Sequence, residues 1–414
     1  MALIIKDCNL IDGTGNSVVK NQSIRVEDGK IAWIGKSDDP QFSINEEDQV
    51  ITIEGSTVMP GMMDTHIHIT QGYEVDQSGF LTETIPFLTV RAIDSCEKIL
   101  QSGFTTVRNM GTYGFVDVAM KNAFQKGMIA GPRMIASGEM LMSTVTGELG
   151  YLRHGIDIPD MKSGIFSGAD EARKAARYQF YHGADVIKLI ASGRVGSDAY
   201  TLPWDTEVER SEIKAITDEA HRLNRKVAAH AYSPESVRDC VLEGIDSIEH
   251  GVMIDLETIK LMADNGTFLV PTMNAFNSYL QPDAEQRYPQ YRLNRGRPMA
   301  TIQRNNFEEY LKHKLLIAVG SDGPRPGSPP GSNAREIELL VSAGMDNLSA
   351  INSATLKSAE LLGIDKELGS IEVGKTADII LVDGNPEKDI SILKDIDKIK
   401  VVIIEGKVVK DISN

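Results

Sequence analysis

The sequence predicts a (β/α)8 barrel that carries a small β-sandwich built from both chain ends. Three observations predict it. Short β-branched runs with turn signals open and close the chain, whereas the long middle alternates apolar strands with helical stretches. Neither GxGxxG nor a Walker sequence appears, although an open doubly wound sheet would usually bind its ligand through such a turn. The expected division is 1–58 plus 362–414 for the sandwich and 59–361 for the barrel.

In chain order, the runs at 3–5, 23–26 and 31–34 flank Ile11-Asp12-Gly13 and Glu27-Asp28-Gly29-Lys30, the spacing of antiparallel hairpins. The idiom returns at 377–382, Asp383-Gly384-Asn385-Pro386 and 401–409. Each terminal piece is too small for its own core, so the two are expected to pair. Between them the predicted strands are 62–65, 105–109, 134–137, 186–190, 227–231, 247–249, 268–271 and 316–320. Stretches with helical periodicity, such as 170–182, 211–224 and 255–265, lie between most of them. The Pro- and Gly-rich segment 323–333 reads as a long irregular loop.

Composition narrows the function. With 414 residues, 41% of them hydrophobic, the chain can bury a large core. A net charge of -16 argues against nucleic acid and anionic membranes as main partners, because both demand a basic surface. Cys8, Cys96 and Cys240 are widely separated and read as reduced, buried thiols. No stretch approaches a membrane span and the first residues lack the pattern of a leader, so a cytoplasmic location is expected.

The chemistry concentrates at strand ends. His66 and His68 stand two apart in Asp64-Thr65-His66-Ile67-His68, which points both imidazoles to one side of a strand. His230 closes Val227-Ala228-Ala229-His230, His250 closes Ile248-Glu249-His250, and Asp322 follows Ala318-Val319-Gly320-Ser321. Taken singly, each histidine reads as a hydrogen-bonded core residue and the aspartate as a helix cap or turn. Taken together, the five share the rim where barrel enzymes keep their chemistry. Lys188, in Val186-Ile187-Lys188-Leu189-Ile190, is an ammonium among apolar strand neighbours. Unless a buried acid pairs with it, such an amine loses its proton easily and can take up carbon dioxide as a carbamate able to bridge two cations.

These residues, with Met59-Pro60-Gly61-Met62-Met63 before the histidine pair, resemble the binuclear members of the amidohydrolase superfamily. The similarity runs from Asp12-Gly13-Thr14-Gly15 to Leu368-Gly369-Ser370-Ile371-Glu372-Val373-Gly374-Lys375-Thr376-Ala377-Asp378. His230-Ala231-Tyr232-Ser233-Pro234-Glu235, Ser247-Ile248-Glu249-His250-Gly251 and Asn333-Ala334-Arg335-Glu336 are similar to the prolidase-like or Xaa-Pro dipeptidase group. That group includes carboxypeptidases acting on N-acyl and dipeptide substrates and ochratoxin-type amidases.

The resemblance implies that His66, His68 and Asp322 hold one divalent metal, His230 and His250 a second, and Lys188, carboxylated on its amine, bridges them. Zinc suits such nitrogen and oxygen donors. A water shared by two cations ionises at neutral pH and would attack the amide, with Asp322 moving the proton to the leaving nitrogen. Tyr232, two residues beyond His230, is a candidate for the tetrahedral intermediate or a substrate carboxylate, and Arg194 a candidate carboxylate clamp. Relatives carry Gly-Gly-His after the third strand, whereas this chain has Ser143-Thr144-Val145-Thr146-Gly147-Glu148. His154 is the candidate substitute, and Glu148 could face a basic side chain. The expected substrate is therefore a small amide or dipeptide, and a homo-oligomer is implied by resemblance alone. Two rivals within catalysis are a mononuclear deaminase, which lacks the lysine, and a cyclic-amide hydrolase. A silent barrel that only binds partners would have lost some of the six candidate ligands, and this chain keeps them all.

Overall fold

A computed structural model of the chain describes residues 2–40, 42–72, 82–145, 163–196 and 201–413. Both chain ends enter one eight-stranded sheet. The strand Thr57–Pro60 joins them, pairing parallel with Leu3–Leu10 on one side and antiparallel with Ile379–Val382 on the other, with Met59 opposite Ile380. Alternate residues of these strands, among them Ile5, Ile24, Val58, Leu381 and Ile403, converge in one apolar cluster. Thr57–Pro60 hydrogen-bonds on both edges and so makes the strands of both chain ends continuous.

The middle of the chain is a parallel α/β arrangement. Met62–Ile67, Phe104–Asn109 and Arg133–Ala136 form one sheet, and Val186–Ile190, Lys226–Ala231, Ser247–His250 and Phe268–Val270 another. Nearly every residue of these strands is buried, which is why they read as near-continuous apolar runs. The helices start where caps place them. Ser233 accepts from Ser236 N with Pro234 in the first turn, Asp255 accepts from Thr258 N, and Glu209 with Glu212 forms a reciprocal capping box.

The predicted strand at 316–320 is not a regular strand; it makes one parallel bridge, Leu269 to Ile317. Its backbone groups go to different neighbours: Ala318 N donates to Leu269 O, Val319 N to Ser353 O, and Val319 O accepts from Thr65 N. Gly320 permits the approach, since a Cβ there would lie 2.7 Å from His66 Cβ and 2.4 Å from Val270 Cγ1. Gly61 serves the same end beside Met62–Ile67, because its Cβ would meet Thr105 Oγ1 at 2.1 Å. A 23-residue helix, Gln290–Lys312, had no counterpart among the predicted elements; its Gln303 donates to His250 O at 3.1 Å. Cys8, Cys96 and Cys240 are buried free thiols, and among the described residues no helix is long and apolar enough to cross a membrane.

Candidate metal centre and active site

The parallel strands deliver His66, His68, Lys188, His230 and His250 to one end of the sheets, and the loop after 320 adds Asp322. Ring centroids lie 5.4 Å apart for His66 and His68, 5.1 Å for His66 and His250, and 4.6 Å for His230 and His250. Asp322 Oδ1 is 3.6 Å from His66 Nε2 and 3.3 Å from His68 Nε2, and one donor atom from each of these three lies within 4.8 Å of the others. His250, Thr272 and Asp322 all have left-handed backbones, at φ 73, 49 and 53. Such non-glycine positions cost on the order of 1–3 kcal/mol each and cluster where geometry serves function.

Every imidazole is oriented by a partner at its other nitrogen. Glu249 Oε2 lies 2.6 Å from His66 Nδ1, and although burial opposes ionisation of Glu249, the Arg108 charge and the His66 bond hold its carboxyl at about 2. Ionised, Glu249 can only accept, so His66 Nδ1 carries the proton and Nε2 the lone pair. His68 Nδ1 donates to Gly111 O at 3.3 Å, and His230 Nε2 to Gly193 O at 3.1 Å. Thr272 spends its hydroxyl proton on Pro271 O, so it accepts from His250 Nδ1 at 2.6 Å. Four lone pairs, on Nε2 of His66, His68 and His250 and Nδ1 of His230, are thus free for cations. Burial, with the Lys188 charge second, pushes His66 down to about 4, and burial also lowers His230 and His250 well below the usual imidazole range. Neutral imidazole is the form that binds metal.

Lys188 is 1% exposed and its Nζ has no hydrogen-bond partner among the described residues. Burial brings its amine down to about 8, against the opposing pull of Glu249 and Asp322. An orphaned, easily deprotonated amine beside four oriented imidazoles and a carboxylate suits divalent-metal chemistry, and the lone pairs and Asp322 Oδ1 are the donors that would hold such cations. Asp322 Oδ2 turns away to Arg325 Nη1 at 3.0 Å; burial opposes its ionisation, but the Arg325 charge keeps the carboxyl well below the usual range.

A cavity of about 620 Å³ opens over the cluster, lined by Tyr232, Arg194, Arg325, Tyr279, Phe276 and Met140 among others. The Tyr232 ring lies 4.3 Å from that of His230 and 5.3 Å from that of His250. Tyr232 and Arg194 both line this cavity. Glu148 and His154 lie outside the described residues.

Several residues went unread in the sequence. Arg108, 1% exposed, gives Nε to Thr65 O at 2.5 Å, Nη1 to Ser247 Oγ at 3.2 Å and Nη2 to Glu249 Oε1 at 2.9 Å. Asp64 ties the first strand to the loop of Asp322, accepting from His66 N, Ser321 N and Asn333 Nδ2. A charged residue among apolar strand neighbours was the signal that singled out Lys188; Arg108 and Glu249 sit among Thr, Asn, Ser and His, where that signal is weaker.

The amidohydrolase family model matches residues 57–409. The chain belongs to the amidohydrolase family. Within it, the chain falls among the prolidase-like proteins. Ochratoxinase of Aspergillus niger is 28% identical over 420 residues, covering 97% of this chain and 85% of the enzyme. A Xaa-Pro dipeptidase solved with methionine bound in its active site superposes with a TM-score of 0.91 at 31% identity, covering 99% of this chain and 100% of that one. A prolidase solved with N-methylphosphonate-L-proline gives 0.89 at 26% identity, with 99% and 100% covered. This amidohydrolase is accordingly a hydrolase of a family that uses divalent metals, with a His-His-Asp cluster suited to one of them.

Proposed function

We propose that this amidohydrolase cleaves the amide or peptide bond of a dipeptide or N-acyl-amino acid with the help of two divalent metals, zinc in the first instance, and that its parallel strands are arcs of a closed (β/α)8 barrel. The observation that carries the reading is the convergence of four oriented imidazole lone pairs on Asp322 and the unpartnered amine of Lys188. The relatives named for ochratoxin and for Xaa-Pro dipeptides support the substrate class.

Bound cations supply acidity to water and polarisation to the scissile carbonyl. The chain's own residues do the rest. The neutral Lys188 amine adds to the carbon of carbon dioxide and loses one proton to solvent, leaving a carbamate with one negative charge and two donor oxygens. Asp322 takes the proton from the attacking water and delivers it to the leaving nitrogen, which must be protonated before the C–N bond breaks. Tyr232 reaches the cavity beside His230 and hydrogen-bonds the oxygen that gains charge, while Arg194 holds a substrate carboxylate. A cavity of about 620 Å³ suits a substrate of two residues.

The test is a chromatographic screen of metal-loaded protein against N-acyl-amino acids, dipeptides and cyclic amides. Release of a free amino acid from a linear substrate is the expected result. Turnover confined to the cyclic amides would replace this reading, and no turnover with well under two metal equivalents per chain would point to a binding protein.

A further inference from the structure

We infer that Arg325, rather than Arg194 alone, selects the substrate: it is the seat for a carboxylate carried beside the scissile amide. The inference rests on the hydrolase reading above and adds to it a residue that decides specificity.

Asp322 divides its two oxygens. Oδ1 faces the Nε2 atoms of His66 and His68, at 3.6 and 3.3 Å, and Oδ2 accepts from Arg325 Nη1 at 3.0 Å. Once Oδ1 shares a cation with the two histidines, the charge of Asp322 is committed there. Arg325, whose side chain is 16% exposed, then has a guanidinium in a low-dielectric wall without its full counter-charge. A guanidinium offers five N–H donors. The bond to Asp322 is the one hydrogen bond its side chain makes among the described residues, and its Nε is buried without a partner. A cation held in this way calls for a second anion, and the planar fork matches the two oxygens of a carboxylate.

The surroundings agree. Tyr279 lines the same cavity, and its phenol makes no hydrogen bond among the described residues, so it can donate to the anion. Arg194 and Arg292 line the cavity as well, so cationic side chains gather there in a chain whose net charge is -16. The seat is rigid. Arg325 N donates to Ser328 O at 3.0 Å and Ser328 N to Arg325 O at 2.8 Å, Tyr288 donates to Pro326 O at 2.8 Å, and Asn274 Nδ2 to Ser328 Oγ at 2.7 Å. A pinned backbone presents the guanidinium with little ordering cost left for the substrate to meet.

The experiment compares N-acyl-amino acids with their carboxamides, using metal-loaded wild type, Arg325→Met and Arg325→Lys. Wild type should prefer the free acid by roughly 100-fold in kcat/KM, expressed mainly through KM, as expected for one charge-assisted pair. Arg325→Met should remove the preference, and Arg325→Lys, which keeps charge but not the fork, should retain part of it. A second readout needs no turnover. Benzoate should raise the unfolding midpoint of metal-loaded wild type more than benzamide does, and the difference should vanish in Arg325→Met; if that variant does not fold, Arg325→Lys carries both comparisons with a reduced difference. An acid preference that survives unchanged in the folded variants, or equal stabilisation of wild type and variants by benzoate, would overturn the inference. If wild type hydrolyses no amide at all, the hydrolase reading fails, and the benzoate comparison still decides the role of Arg325.

Discussion

Two basic side chains lie inside the parallel strands, each 1% exposed, and they are treated in opposite ways. Arg108 places all three of its nitrogens on acceptors: Thr65 O, Ser247 Oγ and Glu249. Lys188, on Val186–Ile190, has an Nζ with no such bond among the described residues. Equal burial therefore gives one cation whose charge is answered and one whose charge is discouraged. Arg108 fixes Glu249, which fixes the His66 tautomer; Lys188 is left as an amine in want of a modification or a metal. The difference separates framework from chemistry inside one layer of side chains.

Replacing the two in turn should break the comparison cleanly. Lys188→Met should produce the largest effect, a loss of activity on the order of 100-fold or more, because a bridging anion and the electrostatics it organises are lost together. Metal analysis of the same protein should fall below two equivalents while circular dichroism stays native. Arg108→Met should act on stability first. It leaves the buried Glu249 charge with neutral partners, the Ser247 hydroxyl and the His66 imidazole, and breaking a buried pair in this way costs about 3–5 kcal/mol. Denaturant unfolding of the metal-free protein checks this, and a cost under 1 kcal/mol would mean that Glu249 finds another partner.

The smallest effect is read from pH. The Lys188 amine titrates near 8 in the fold, below its ordinary 10.5. Between those values the unfolded chain binds the extra proton, so metal-free protein kept clear of carbon dioxide should gain stability as pH rises from 8 to 10.5. The part of that gain due to Lys188, on the order of a few kcal/mol, should be missing in Lys188→Met. Matched unfolding curves of the two proteins at both ends of the window sharpen the comparison; parallel pH profiles would show that the amine is not penalised in the fold.

Legibility followed range along the chain. The strand at 186–190 and the helix at 211–224 could be read because periodicity and caps act over a few residues, and the structure places them at Val186–Ile190 and Arg210–Arg222. The segment 316–320 looks like a strand locally, yet Ser353, from a later helix, takes the N–H of Val319 and interrupts the ladder. The loop at 323–333 is irregular as expected, but irregularity said nothing of how firmly Asn274 and Tyr288 pin it. Glu249 lies in the short strand Ser247–His250, and its role depends on His66, 183 residues away, which no local pattern reports.

The sequence by itself determined which donors exist and that they fall at strand ends, because alternation along a strand and turn chemistry are local properties of the chain. It thereby singled out His66, His68, Lys188, His230, His250 and Asp322, and the family they resemble. Only the tertiary structure decided which nitrogen of each imidazole is free, which buried cation is answered, and where a guanidinium waits beside Asp322. Those outcomes depend on hydrogen bonds and charges brought together across strands far apart in the chain, in an interior where an unmatched proton or charge costs several kcal/mol.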